Sequence, residues 1–251
     1  METQIFLTTF QNIPSIIAKT AGFWLPLVLV ILGWRLWVNY VREDWLSSVK
    51  WVLLEIRVPK EVFKSPAAME LALSNALSQG GGVGNNYQKY WQGRVLNWFS
   101  LEIVSLGGEI HFLIRTPVNF RRVIESQIYA QYPQAEIFEV EDYVQEAIKD
   151  MHKQEWALWG TEFKLTKEDA YPIKTYTDYG LDKAVGSTEE NERIDPITPM
   201  IEWMGAIGPK EQIWFQIIVR VSKWTYRKGG LMGGYDDYRA KTQKVLEEMR
   251  N

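Results

Sequence analysis

Residues 23–40, Phe-Trp-Leu-Pro-Leu-Val-Leu-Val-Ile-Leu-Gly-Trp-Arg-Leu-Trp-Val-Asn-Tyr, decide how the chain is read. No charged side chain lies between Lys19 and Arg35, and Trp24, Trp34, Trp37 and Tyr40 gather at the two ends of the run, where interfacial aromatics belong. The run predicts a transmembrane helix over 21–40, anchored through Trp24, Leu25, Leu29, Ile31, Trp34 and Trp37. At about 1.5 Å per residue, the step from Lys19 to Arg35 covers only about 24 Å of a hydrocarbon core roughly 30 Å thick. Lys19 and Arg35 must therefore snorkel outward to complete the span. Leu25 to Leu32 is apolar all round, which argues against a helix lying in the interface with one charged face. A cleaved signal peptide fits poorly, because the run is rich in tryptophan and lacks a small-x-small cleavage pattern after it. Pro26 is expected in the first helical turn, where its missing N–H has no partner to lose.

The flanks set the orientation. Lys19 is the one basic residue before the span, whereas Arg35, Arg42, Lys50, Arg57 and Lys60 follow it closely, so the bulk of the chain is expected on the cytoplasmic side of a cell's inner membrane. Residues 1–20 would form a short external arm.

Of the 251 residues, roughly 200 remain after the arm and anchor, enough for one large or two small domains. A hydrophobic share of 46% and a charged share of 24% suit an ordinary globular core. The net charge of -3 offers no overall electrostatic case for nucleic acid, whose binders carry a basic face. There is no cysteine, which excludes disulfides and thiolate metal sites, and the two histidines, His111 and His152, are far apart in sequence.

After the anchor, residues 50–58 alternate as a half-buried strand, with Val52, Leu54, Ile56 and Val58 on one face. Ser65-Pro66 then supplies an N-cap and first-turn proline for a helix carrying Met69, Ala72, Leu73, Ala76 and Leu77 on one side. Alternating runs at 97–105 and 109–115 flank Gly107-Gly108 and predict a hairpin. Thr116-Pro117 repeats the cap and proline device before a helix with Phe120, Val123, Ile124 and Ile128, and residues 135–141 read as a last strand. The order strand, helix, strand, strand, helix, strand over 50–143 is that of a ferredoxin-like βαββαβ sandwich, in an α+β protein. Trp51, Leu53, Trp98 and Leu113, on the opposite strand parity, mark the other sheet face as a candidate interface.

Residues 152–226 suggest a second, less complete α+β domain: a strand-like stretch at 156–165, a polar region at 166–195, a short helix opened by Thr198-Pro199, and a strictly alternating strand at 211–221. Residues 235–251 are expected to form a polar C-terminal helix.

Three stretches hold residues suited to chemistry, and each has a simpler role. Gly80 to Asn86, Gly-Gly-Gly-Val-Gly-Asn-Asn, lacks the Gly-Lys-Ser/Thr ending of a phosphate-binding loop and follows a helix instead of a strand, so it is read as a connecting loop. Glu136, Glu139, Glu141, Asp142 and Glu146 could serve a divalent metal and acid–base chemistry, the basis of the enzymatic alternative, but a solvated edge is the simpler reading. Trp98, His111 and Arg115 could bind RNA as in sheet-based RNA modules, although the glycine-aromatic strand motif is missing. No catalytic residue, metal or cofactor is assigned.

The run from Trp98 to Pro117, WFSLEIVSLGGEIHFLIRTP, with IESQIYAQYPQAEI from Ile124 and Val140-Glu-Asp-Tyr, resembles the membrane-proximal domains associated with conjugation-type (type IV secretion) ATPases of bacteria. The likeness covers about Trp51 to Tyr143 together with the anchor. It implies a place at the cytoplasmic face of a secretion or DNA-transfer apparatus, as a non-enzymatic subunit or scaffold. The partners it implies are the membrane, other protein subunits with a secretion-type ATPase among the candidates, and further copies of the chain. The 251 residues contain no P-loop, so an ATPase partner is expected to be a separate polypeptide.

Overall fold

A computed structural model describes residues 2–59, 64–80, 85–152, 157–167, 170–182, 195–221, 225–227 and 235–250. Trp156, residues 81–84 of the Gly80–Asn86 loop, residues 183–194 of the polar stretch and the patch Gly229–Gly234 lie outside the described residues. The elements in order are α1 (Glu2–Ser48), β1 (Trp51–Arg57), α2 (Pro66–Ser78), α3 (Asn86–Tyr90), β2 (Trp98–Leu106), β3 (Glu109–Pro117), α4 (Arg121–Gln131) and β4 (Glu136–Val140). They continue with α5 (Tyr143–His152), α6 (Thr198–Gly205), β5 (Gln212–Arg220), β6 (Thr225–Arg227), β7 (Tyr235–Asp237) and α7 (Tyr238–Arg250). Two compact units result, residues 1–49 with 83–95, and residues 50–82 with 96–251.

In the first unit, α1 runs for 47 residues, about 70 Å of helix. It continues through the expected external arm, so Pro26 sits in the helix interior and not in a first turn. A proline there removes the N–H that would bond the carbonyl of Gly22, a loss that helices in lipid tolerate.

The second unit is built on an antiparallel five-stranded sheet in the order β4-β1-β3-β2-β5. The hairpin between β2 and β3 turns on Gly107 and Gly108, at φ +61° and +94°, the pair of positive values that a tight two-residue hairpin loop requires. Ser65 caps α2 as read from the sequence, its Oγ accepting from the Ala67 N–H at 3.3 Å. Thr116 does not cap a helix: it is buried in β3, and a single 3-10 turn at Val118–Phe120 separates that strand from α4.

One face of the sheet carries Val52, Leu54, Ile56, Phe99 and Ile114, closed by Ala76 and Leu77 of α2 and by Ile124 and Ile128 of α4. Near the hairpin, α6 packs against β3 on this face, and the buried Ser105 hydroxyl donates to the Met204 carbonyl at 2.6 Å. On the opposite face α5, a helix not expected from the sequence, covers Leu53, Val104 and Leu113.

The alternating strand at 211–221 forms as β5 but enters this same sheet, bonded to β2 from Trp98↔Arg220 to Leu106↔Gln212. Residues 157–165 of the stretch expected as a strand at 156–165 belong to no helix or strand. The remaining strands, β6 and β7, form a small separate ribbon ahead of the polar helix α7.

Candidate functional site

In the first unit the site grows from one stripe of α1. Trp34, Trp37, Val38 and Val41 recur at the 3, 4 and 7 spacing that places residues on one helix face. Residues 85–95 lie along that stripe. Asn85 starts α3, its Oδ1 accepting from the Gln88 N–H at 3.0 Å, and the Arg94 N–H turns the chain back by donating to the Gln88 carbonyl at 2.9 Å.

This turn brings two further aromatics onto α1. Tyr90 meets Trp34 with ring centroids 5.7 Å apart, and Trp91 stands edge-on to Trp34 at 6.5 Å and to Trp37 at 5.6 Å. Tyr40 follows at 6.4 Å from Trp37. The Trp37 indole N–H donates to the Tyr90 carbonyl at 3.1 Å, so the helix holds both the ring and the backbone of the turn. Gly93 completes the contact with a φ of +65°, and any Cβ there would overlap the main-chain carbonyl of Val41. Edge-on ring pairs add about 0.5–1.5 kcal/mol each beyond the area they bury, and indole and phenol rings suit the border between lipid tails and water.

Below this collar the anchor side chains point outward. Trp24, Leu25, Leu29, Trp34 and Trp37 are all exposed, as are Leu27 at 62% and Val30 at 69%, while Ile31 is intermediate. Residues 19–48 are long and apolar enough to cross a membrane. The sequence reading found the helix but missed Tyr90 and Trp91. The clue was available in Tyr87-Gln-Lys-Tyr-Trp-Gln-Gly-Arg, an aromatic and basic run after a glycine patch.

In the second unit, Trp51 and Trp98 stack at 4.1 Å, and both are partly covered. Leu53 and Leu113 are buried with Val104 and Tyr143 beneath α5, so this part of the other sheet face is lined by the chain itself. Between them lies a buried polar network. Arg115 donates to both oxygens of Asp142, at 2.9 and 3.0 Å, and its Nε to Glu102 at 3.1 Å. The Tyr143 hydroxyl donates to the other Glu102 oxygen at 2.7 Å and accepts from Gln216 Nε2 at 2.8 Å.

The electrostatics follow from these contacts. The Arg115 hydrogen bonds, helped by the Val144 N–H and opposed by burial, hold the Asp142 carboxyl below the usual carboxylate range. Burial, and then the bond to Glu102, push the Tyr143 phenol well above its ordinary value. Nearby, burial resists ionisation of Glu55, but hydrogen bonds from Arg57 and from His111, at 3.0 and 2.9 Å, overcome it and lower its pKa. With its side chain only 1% exposed, Glu102 is closed off from any substrate. This network can orient α5 on the sheet; it offers no open acid–base pair.

The proposed acidic cluster is divided among other tasks. Asp142 belongs to Arg115, Glu139 pairs with Arg121, and Glu136 and Glu141 are exposed, while the Glu146 side chain lies outside the described residues. Among the described residues no three potential metal ligands converge. His111 and Arg115, considered for RNA contact, are engaged by Glu55 and by Glu102 with Asp142.

Comparison with family models, with curated proteins and with solved structures finds nothing similar to this chain.

Proposed function

We propose that the chain is a single-pass membrane subunit, held by α1, whose cytoplasmic α+β unit joins other proteins of a secretion or DNA-transfer type of assembly. The observation that carries the reading is α1 itself: a long helix with an outward-facing apolar surface, finished by the collar of Trp34, Trp37, Tyr40, Tyr90 and Trp91. A surface of this size and apolarity is unfavourable in water and fits lipid. The collar adds rings from a second part of the chain at a level where interfacial aromatics are favoured, which supports spanning over a transient signal.

Residues 50–143 we read as a ferredoxin-like sandwich, from the order β4-β1-β3-β2 with α2 and α4 on one face, extended at its edge by β5. Its polar network serves packing, and the role left to it is to bind partners. The experiment is expression of the full chain followed by alkaline extraction of membranes, then light scattering of the detergent-solubilised protein. Retention in the membrane and a particle larger than one 29.3 kDa chain are expected. Release into the soluble fraction, or a monodisperse monomer without partner, would overturn the reading.

A further inference from the structure

The second unit holds, among the described residues, an unpaired sheet edge and an unpaired segment of strand-like sequence. Strand β5 closes the sheet order, with one edge bonded to β2 along its whole length and the other bonded to no strand among the described residues. From Gln212 to Val219 it carries no charge, proline or glycine, the usual protections of a free edge. Its neighbours Ile217 and Ile218 point to opposite faces, and both are exposed, Ile218 at 71%.

The complement is Ala157-Leu-Trp-Gly-Thr-Glu-Phe-Lys-Leu165. Ala157, Trp159, Thr161, Phe163 and Leu165 share one parity, the pattern of a strand with one apolar face. No backbone hydrogen bond ties this segment to a sheet among the described residues, and Trp159 and Phe163 are each 82% exposed. The Phe163 ring lies 6.5 Å from the Phe215 ring of β5, a side-chain contact on one face of the strand with no strand pairing beside it.

We propose that residues 157–165 of one copy add as a strand to the free edge of β5 in a second copy, and that the exchange is reciprocal. The proposal rests on the membrane-subunit reading and names the surface through which copies join. A two-fold pair satisfies both features twice, the economical outcome of exchanging identical elements. Main-chain bonds supply the affinity and alternate side chains the register, as in other cases of strand addition. Two copies anchored in one membrane face the same way at high local concentration, which favours the exchange over a dilute encounter.

Because the chain has no cysteine, introduced thiols report without background. Full-length chains bearing Thr161→Cys or Phe163→Cys are co-expressed with differently tagged chains bearing Ile217→Cys or Ile218→Cys, solubilised in mild detergent and oxidised. A disulfide-linked heterodimer, twice the 29.3 kDa monomer, is expected. Phe163→Asp, at an exposed position, added to the chain bearing Thr161→Cys, lowers the cross-linked fraction at least tenfold and leaves a monomer. No cross-link, or a disulfide formed only within a chain carrying both cysteines while diluted in cysteine-free copies, overturns the exchange. If Phe163→Asp abolishes nothing and the particle stays larger than a monomer, the strand exchange falls while the subunit reading stands.

Discussion

Trp37 and Tyr90, 53 positions apart in sequence, are joined by a hydrogen bond of 3.1 Å from the indole N–H to the main-chain carbonyl. The anchor helix therefore positions a turn that lies between α2 and β2 in the chain, and the turn in return thickens the aromatic end of the anchor.

Gly93→Ala tests this attachment directly. A positive φ costs a residue with a Cβ about 1–2 kcal/mol, and the overlap with the Val41 carbonyl adds to it. Residues 85–95 are expected to leave α1, seen as faster tryptic cleavage after Lys89 and Arg94 and a red shift of tryptophan emission in detergent. An unchanged cleavage pattern contradicts the packing described.

Arg115→Met removes the cation that Glu102 and Asp142 share. Breaking a buried pair by deleting one partner costs about 3–5 kcal/mol, the lower end applying here because Asp142 is one-third exposed. Urea denaturation of the detergent-solubilised chain should show it. Glu102→Gln, which keeps the shape, should cost less.

Acid should weaken the second unit. Asp142 and Glu55 both have folded pKa values below their usual ones, so their stabilisation is complete above their unfolded values, about 3.9 and 4.3, and is lost as pH falls through the folded values. Thermal melts at descending pH should hold level to about pH 5 and fall below about pH 4. A melting temperature that is flat to pH 3 would refute the pairing of these carboxylates.

Leu29→Arg probes the span. A guanidinium near the middle of a membrane helix costs about 2.5–3.5 kcal/mol in insertion. The variant should shift substantially into the alkaline-extractable fraction, whereas Ser47→Arg, at the end of α1, should not.

Much of this architecture could be read from local patterns. Alternation located β1, β2, β3 and β5, Gly107-Gly108 located the hairpin, and Ser65-Pro66 located the start of α2, because each depends on residues close in sequence. What local pattern could not supply was which sheet β5 joins, since pairing with β2 is decided by partners distant in the chain. Helix α5 was passed over because its opening, Glu141-Asp-Tyr-Val, continues an acidic strand end, and its apolar residues acquire meaning only against Leu53 and Leu113. Thr116 misled because Thr-Pro serves equally to open a helix or end a strand. At the anchor, periodicity revealed Trp34 and Trp37 but not Tyr90 and Trp91, which reach the helix through a turn that no spacing rule connects to it.

The place of β5 also imposes an order on biosynthesis. Leu106 finds its partner only when Gln212 has been made, more than a hundred residues later. At roughly 5–20 residues per second, the ribosome keeps that edge of β2 waiting on the order of 5–20 seconds after β2 itself has been made. A nascent chain captured early by the membrane insertion machinery would pass that interval already segregated from other incomplete chains, with its bare strand least able to find a wrong companion.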